Sequence, residues 1–159
     1  MVILQEDHDR FVEILERLRE ESNSRFAFLI DKAGQSIASA GSINDGDPTA
    51  LASLTAGNVA ATEGLAQVIG EASFSTLYHE GEQESLYISL VADRVILLVI
   101  FDEQSSLGLV RLRVKQRGDE LDAAVRVPLE REKNQPAGAG VATAGLDDIS
   151  DADIDALFG

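Results

Sequence analysis

The sequence contains no cysteine, and only two of its 159 residues are histidine. Without thiols the chain can form neither a disulfide framework nor a thiolate zinc site, and this suits a reducing cytoplasm. His8 and His79 are far apart, and neither belongs to a recognisable Ser-His-Asp set or HExxH motif. We therefore expect a protein that is not an enzyme and holds no metal or cofactor. An enzyme with an unrecognised site stays open as a minor hypothesis.

Basic residues are also scarce, since 13 Lys and Arg stand against 28 Asp and Glu for a formal net charge of -15. Nucleic acids and anionic membrane surfaces bind clustered basic residues, so both are disfavoured as partners. No apolar run approaches the roughly 20 residues of a membrane span, and the N-terminal apolar stretch is too short for a signal peptide. The nucleotide motifs GxxxxGK[ST] and GxGxxG are missing. We expect a cytoplasmic protein, without membrane insertion, whose partner is another protein.

The sequence does contain a regular series of helix and strand signals. Apolar residues at helical spacing mark the first helix, namely Phe11, Ile14, Leu15 and Leu18. Asp47 can cap a second helix, in which Pro48 takes the first position, and Ser105 or Ser106 can cap a third. We expect the third helix to be interrupted at Gly118 and to end near residue 128, where a proline removes a backbone donor.

Five short apolar runs predict strands, so the element order is α-β-β-α-β-β-β-α. The most continuously apolar runs, residues 26–30 and 95–101, belong at the sheet centre. The predicted fold is therefore α+β, with a five-stranded antiparallel sheet of order 2-1-5-4-3 and helices on its faces. Strands 2 and 3 are edges, and an unpaired edge invites pairing with another chain. We expect a homodimer through four residues of strand 3: Thr76, Leu77, Tyr78 and His79.

The second helix is unusual because small residues recur along it. Within residues 51–71 they are Gly57, Ala60, Ala61 and Gly64. A glycine inside a helix costs roughly 1 kcal/mol relative to alanine, so something is expected to approach this backbone closely. The residues expected to pack on the sheet are Leu51, Leu54, Leu65 and Ile69. The small stripe then either packs on the chain's own sheet or forms a platform for another chain, and we favour the platform.

The composition changes near the C-terminus. Residues 1–131 form the predicted domain, residues 132–145 read as a flexible linker of small residues, and residues 146–159 are acidic. Ser150 and Asp153 have the spacing of a helix cap. We expect a short docking helix with one apolar face: Ile149, Ile154, Leu157 and Phe158.

Four basic residues lie close together in the third helix: Arg111, Arg113, Lys115 and Arg117. A run of this kind is most often a solvated face. It could instead hold an acidic partner surface or the chain's own acidic tail. The acidic residues of that tail are Asp147, Asp148, Asp151, Asp153 and Asp155.

Several stretches between residues 25 and 120 resemble the bacterial gliding-motility branch of the Roadblock/dynein-light-chain family: FLIDKAGQSIASAG, LASLTAGNVAATEGLAQVIGE, HEGEQESLYISLV and VIFDEQSSLGLVRLRVK. The resemblance implies a Roadblock-type homodimer in which strand 3 pairs with its twin and the second helices lie side by side. It also implies a partner, one small Ras-like GTPase of the MglA type per dimer. The GTPase-binding platform would comprise Thr55, Gly57, Asn58, Ala60, Ala61 and Gly64.

The same resemblance implies a GTPase-activating protein that acts in cell polarity and gliding motility and is enriched at one cell pole. Proteins of this branch are thought to insert no arginine finger and instead to reposition the switch loops of the GTPase. Their C-terminal helix is thought to touch the GTPase away from the platform and to tune nucleotide exchange. Here that role would fall to Ile149, Ile154, Leu157 and Phe158.

The tail SDADIDALFG allows an alternative. It also resembles the short acidic helix with which a flagellar switch protein docks onto a chemotaxis response regulator. The alternative function is a non-catalytic dimeric scaffold whose C-terminal helix recruits a response-regulator receiver domain.

Overall fold

The computed structural model describes residues 1–43 and 46–134. Within these ranges the predicted order of three helices and five strands is confirmed. The elements are α1 Gln5–Glu21, β1 Phe26–Asp31, β2 Ser36–Gly41, α2 Pro48–Ile69, β3 Thr76–His79, β4 Glu84–Val91, β5 Val95–Asp102 and α3 Leu107–Lys133. The predicted docking helix of residues 146–159 lies outside the described residues, as does the predicted linker from residue 135 onward.

The five strands form one antiparallel sheet of order β2-β1-β5-β4-β3, as predicted. The central pair β1 and β5 is in register from Phe26 opposite Ile100 to Asp31 opposite Val95. Both strands are buried along nearly their whole length because helices cover both faces of the sheet. Continuous apolar sequence therefore identified the strands at the centre.

Alternate residues of the central strands serve two separate cores. One face packs against α1 and α3, with Leu29, Leu97 and Val99 facing Phe11 and Leu15. The opposite face packs against α2 and carries larger side chains: Phe26, Phe28, Ile30, Ile96, Leu98 and Ile100. The sheet is thus the middle layer of three, with α2 alone on one side.

The limits of α2 follow from local chemistry. The Asp47 side chain accepts a 2.9 Å hydrogen bond from the Thr49 backbone N–H, and Pro48 occupies the first turn, where no donor is needed. Gly70 ends the helix in the left-handed conformation with φ of 82°. Asp47 and Pro48 are the signals from which the start of the helix was predicted.

The expectation for the third helix is wrong, because α3 continues through Gly118 and Pro128 to Lys133. Buried residues on both sides of Gly118, including Val114 and Leu121, hold that segment against the core. Pro128 is itself buried next to Leu129. Burial of this face outweighs the local cost of a glycine and a missing backbone donor. Among the described helices, none is long and apolar enough to cross a membrane.

Candidate functional site

Helix α2 presents small residues to the sheet and large ones to the outside. Ala52, Ala56 and Val59 are buried against the second core. Leu51 is half-buried there, as expected, but the prediction that Leu54, Leu65 and Ile69 pack on the sheet is wrong. The sheet already supplies phenylalanine, isoleucine and leucine on this face, so the helix fits closely only where its own side chains are short.

The outward side of α2 is a continuous apolar surface. Its large members are strongly exposed, namely Leu54 at 73%, Leu65 at 61%, Val68 at 83% and Ile69 at 65%. Between them lie the exposed small residues Gly57, Ala60, Ala61 and Gly64. We call these eight residues the α2 surface. Exposed apolar area of this continuity marks a site where another molecule binds.

The spacing of the α2 surface favours a second helix as its neighbour. Leu54, Ala61 and Val68 are seven residues apart, and so are Gly57 and Gly64, which reproduces a heptad seam. Glu63 is the only charged residue of α2, and its side chain turns away to accept a 3.1 Å bond from Lys32. Nothing on the seam therefore opposes close apolar packing.

The glycines of the α2 surface have no neighbours within the described part of the chain. A methyl group added at Gly57 or at Gly64 would meet no atom within 4 Å. The close approach to α2 occurs instead on its other side, where an added Cβ at Gly34 would lie 3.1 Å from Ser53 Cα. Packing on the chain's own sheet therefore does not account for Gly57 and Gly64.

The other two residues of the predicted platform are placed differently. Thr55 is buried on the sheet side, and its hydroxyl donates a 2.7 Å bond to the Leu51 carbonyl. Asn58 is half-buried at the margin of the α2 surface. The platform residues that another molecule can reach directly are thus Gly57, Ala60, Ala61 and Gly64, with Asn58 at the rim.

Strand β3 forms an open edge beside the α2 surface. It pairs with β4 from Thr76 opposite Ser89 to His79 opposite Leu86, and within the described residues no strand pairs with its other side. Thr76, Tyr78 and His79 are exposed, and Leu77 is half-buried against the core beneath α2. The Tyr78 ring is anchored by stacking on Phe101, with centroids 6.2 Å apart.

One contact joins the edge strand to the α2 surface. The Asn58 side-chain nitrogen lies 3.2 Å from His79 Nε2, so the amide can donate to the neutral imidazole. The structure therefore brings together two sets of residues that the sequence predicted separately, the edge of strand 3 and the small stripe of helix 2. Leu77 and His79 of this edge lie on the α2 side of the sheet, whereas Thr76 lines a cleft beside α3 and Tyr78 stacks on Phe101.

The carboxyl groups with clearly shifted pKa values lie on the other side of the sheet. Hydrogen bonds from Arg131 lower the pKa of Asp7, and a hydrogen bond from Arg117 lowers the pKa of Glu21. Both pairs tie α1 to α3 and are structural. Within residues 1–43 and 46–134, no group of three or more His, Asp or Glu side chains could hold a metal ion.

Sequence reasoning missed Leu54 and Val68 as surface residues. Their seven-residue spacing with Ala61 was the signal that could have identified them. The predicted docking residues of the tail lie outside the described part of the chain: Ile149, Ile154, Leu157 and Phe158.

Comparison with known proteins identifies relatives of this arrangement. Residues 10–101 match the Roadblock/LC7 domain. The chain is 48% identical to Myxococcus xanthus MglB, over 79% of this chain and 95% of that one, with a TM-score of 0.74. It is 35% identical to the gliding protein MglB from Thermus thermophilus, over 78% and 94% of the two chains, with a TM-score of 0.73.

A third solved structure, described as MglB with tetrameric arrangement, is 34% identical and has a TM-score of 0.72. The match covers 78% of this chain and 93% of that one. No curated protein matches this chain significantly.

Proposed function

This chain belongs to the Roadblock/LC7 family, and on that premise we propose that it is a homodimeric GTPase-activating protein for a small Ras-like GTPase of the MglA type. The gliding protein named among its relatives supports a role in gliding motility, and we propose that this role extends to cell polarity. The observation that carries the proposal is the α2 surface, whose glycines and large apolar side chains have no partner in the described part of the chain. An interface between proteins removes that exposure.

In the proposed dimer, β3 of each subunit pairs with its twin and the sheet becomes continuous. The open edge of β3 and its position beside α2 support this arrangement, because two copies joined at β3 bring their α2 helices together. Part of the α2 surface then contacts the sister helix. The remainder forms the platform on which one GTPase binds per dimer.

The proposed mechanism needs no catalytic group from this chain. Helix α2 contains no arginine or lysine, so it cannot place an arginine finger in the GTPase active site. The platform instead binds preferentially the GTPase conformation in which its own switch loops meet the nucleotide. Preferential binding raises the population of that conformation and thereby the rate of hydrolysis. The enzyme is the partner, and this chain is its regulator.

The proposal is tested by measuring GTP hydrolysis by the cognate GTPase while this protein is titrated. We expect acceleration that saturates near two chains per GTPase, since the dimer is the working unit. Binding without acceleration would refute the activating role and favour the scaffold alternative. Absence of any binding would refute the proposed partner.

The role of the α2 surface is tested by Gly64→Arg, which sets a long cationic side chain into the seam. Because Gly64 has open space around it, we expect the fold to persist while stimulation of hydrolysis is lost. Gln116→Arg is the matched control, because Gln116 is exposed on α3, across the sheet from α2. Equal stimulation by the Gly64→Arg variant and the natural protein would show that the GTPase binds elsewhere.

A further inference from the structure

The four clustered basic residues of α3 have different surroundings. Arg117 pairs with Glu21 and with Glu120, and Arg113 donates a 2.8 Å bond to the Gln116 side chain. Arg111 and Lys115 are exposed, and no carboxylate of the described residues lies within ion-pair distance of either. Two neighbouring cations are thus left available on a chain with a net charge of -15.

Arg111 and Lys115 stand at the rim of a cleft of about 350 Å³ between α3 and the sheet. Its walls are mainly apolar, with Val114 and Leu121 from α3 facing the strand residues Val91 and Leu97. We call this the α3 cleft. Asp122 also lines the cleft, but its carboxylate pairs with Arg126. Two cations above an apolar floor fit an acidic segment that also carries apolar side chains.

We infer that the α3 cleft binds the acidic C-terminal segment of the same chain, residues 146–159. The five aspartates of this segment carry negative charges that can pair with Arg111 and Lys115. Its apolar residues match the apolar floor, and they are spaced among the aspartates: Ile149, Ile154, Leu157 and Phe158.

The length of the chain agrees with this assignment. Along the helix, Lys115 and Arg111 lie about 28 and 35 Å from Asn134 at 1.5 Å per residue. The twelve residues 135–146 can reach about 40 Å when extended, at roughly 3.3 Å per residue. The acidic segment can therefore reach both cations of its own subunit.

A second basic cavity competes for the same segment. It lies beside Leu129 near the end of α3 and is lined by Lys32 and Arg94. Lys32 already pairs with Glu63, whereas neither Arg111 nor Lys115 has a carboxylate partner within the described residues. The α3 cleft is thus the better match in charge.

The α3 cleft and the α2 surface lie on opposite faces of the sheet. Docking of the tail therefore leaves the α2 surface open and can be measured without the GTPase. The full-length protein alone is sufficient for the test.

Because the chain has no cysteine, spin labels can be attached at two introduced sites. We would label Gln116→Cys on α3 and Ala156→Cys in the tail, and measure the distance distribution by double electron–electron resonance after dilution with unlabelled chain. We expect a narrow, short-distance population. The charge reversal Arg111→Glu with Lys115→Glu should abolish it, and adding Asp151→Lys with Asp153→Lys should restore it.

Arg94→Glu is the control, since it reverses one charge in the competing cavity. We expect this variant to keep the short-distance population. The inference is overturned if the natural residues give only a broad distribution, if Arg94→Glu removes the short population, or if the double reversal on α3 leaves it. It is also overturned if the short population disappears on dilution, because the tail would then bind the sister subunit.

Discussion

Gly57 and Gly64 show how single residues can serve binding at the expense of the isolated helix. Each sits in the interior of α2 with open space where a side chain would be. A glycine in such a position destabilises a helix by roughly 0.5–1 kcal/mol relative to alanine. Nothing within the described fold compensates for this cost, which supports the proposal that another molecule approaches here.

We therefore predict that Gly57→Ala and Gly64→Ala change stability and binding in opposite directions. Each should raise the free energy of unfolding of the monomer by about 0.5–1 kcal/mol. Each should also weaken GTPase or sister-helix binding by about 1–3 kcal/mol through overpacking, which is roughly 5- to 150-fold. Urea unfolding at low protein concentration and a binding titration measure the two effects.

Gly118→Ala is the control, because Gly118 is also helical with open space around it, but lies on α3. It should stabilise the protein to a similar extent and leave GTPase binding unchanged. A loss of stability in the Gly57 and Gly64 variants would mean that these positions are crowded in the isolated chain.

Asp7 carries a charge that contributes directly to stability. Its buried carboxylate accepts bonds of 2.8 and 3.2 Å from Arg131, and it also accepts the Leu4 backbone N–H at the start of α1. The bonds from Arg131 lower its pKa. Its contribution is therefore fully present above the unfolded pKa of about 3.9 and is lost as the pH falls through the lower folded pKa.

We predict that Asp7→Asn lowers the free energy of unfolding near neutral pH by about 1–3 kcal/mol, the range for a hydrogen-bonded charge. The difference from the natural protein should shrink as the pH falls below about 4. Urea unfolding at fixed protein concentration across this pH range measures it. Asp9→Asn removes the same charge from the exposed side of α1, and a similar loss in that variant would argue against the Asp7–Arg131 pair.

At the scale of elements, the open edge of β3 lies beside the outward side of α2. β3 is only four residues long and pairs with β4 on one side. It lies at one end of the sheet, and β2 lies at the other. Helix α2 lies near β2 as well as β1, and its Asn58 side chain contacts His79 at the β3 edge. We propose β3 as the edge that pairs with a second copy.

We predict that Thr76→Lys converts the dimer to a monomer, since a lysine on an edge strand opposes pairing with another edge. Analytical ultracentrifugation measures the change in mass. Ser39→Lys, on an exposed position of β2, places the same charge on the opposite edge and should leave the dimer intact. If Ser39→Lys dissociates the dimer and Thr76→Lys does not, the dimer forms through β2.

At the scale of the whole molecule, the sheet separates two surfaces of different chemistry. The α2 side is apolar and almost uncharged, whereas the α3 side carries the available cations Arg111 and Lys115. A partner protein and the chain's own acidic segment can therefore bind at the same time. This separation makes the contribution of the tail measurable independently of the platform.

We predict that deleting residues 146–159 leaves GTPase binding to the platform in place and alters only the extent of stimulation. Binding and hydrolysis assays on the truncated and full-length chains provide the comparison. If the deletion removes the principal interaction, the chain acts as a scaffold through its tail. If a receiver domain binds the full-length chain and does not bind the truncated chain, that domain is the partner of the tail.

Much of this fold could be predicted from the sequence because its signals are local. The caps Asp47 and Ser106 and the left-handed Gly70 define helix ends through bonds to near neighbours. The sheet order followed from the apolar content of β1 and β5, since only central strands are buried on both faces. The small stripe of α2 and the edge strand were likewise visible as patterns.

The tertiary structure alone decided which side of α2 meets the sheet, because both sides of this helix contain small and apolar residues. The large side chains of β1 and β5 leave room for Ala52 and Ala56, so the leucines turn outward. It also decided that Arg117 is paired while Arg111 is available, since Glu21 lies 96 residues away in sequence. Contacts between distant segments determine these choices, whereas near neighbours determine where helices begin and strands run.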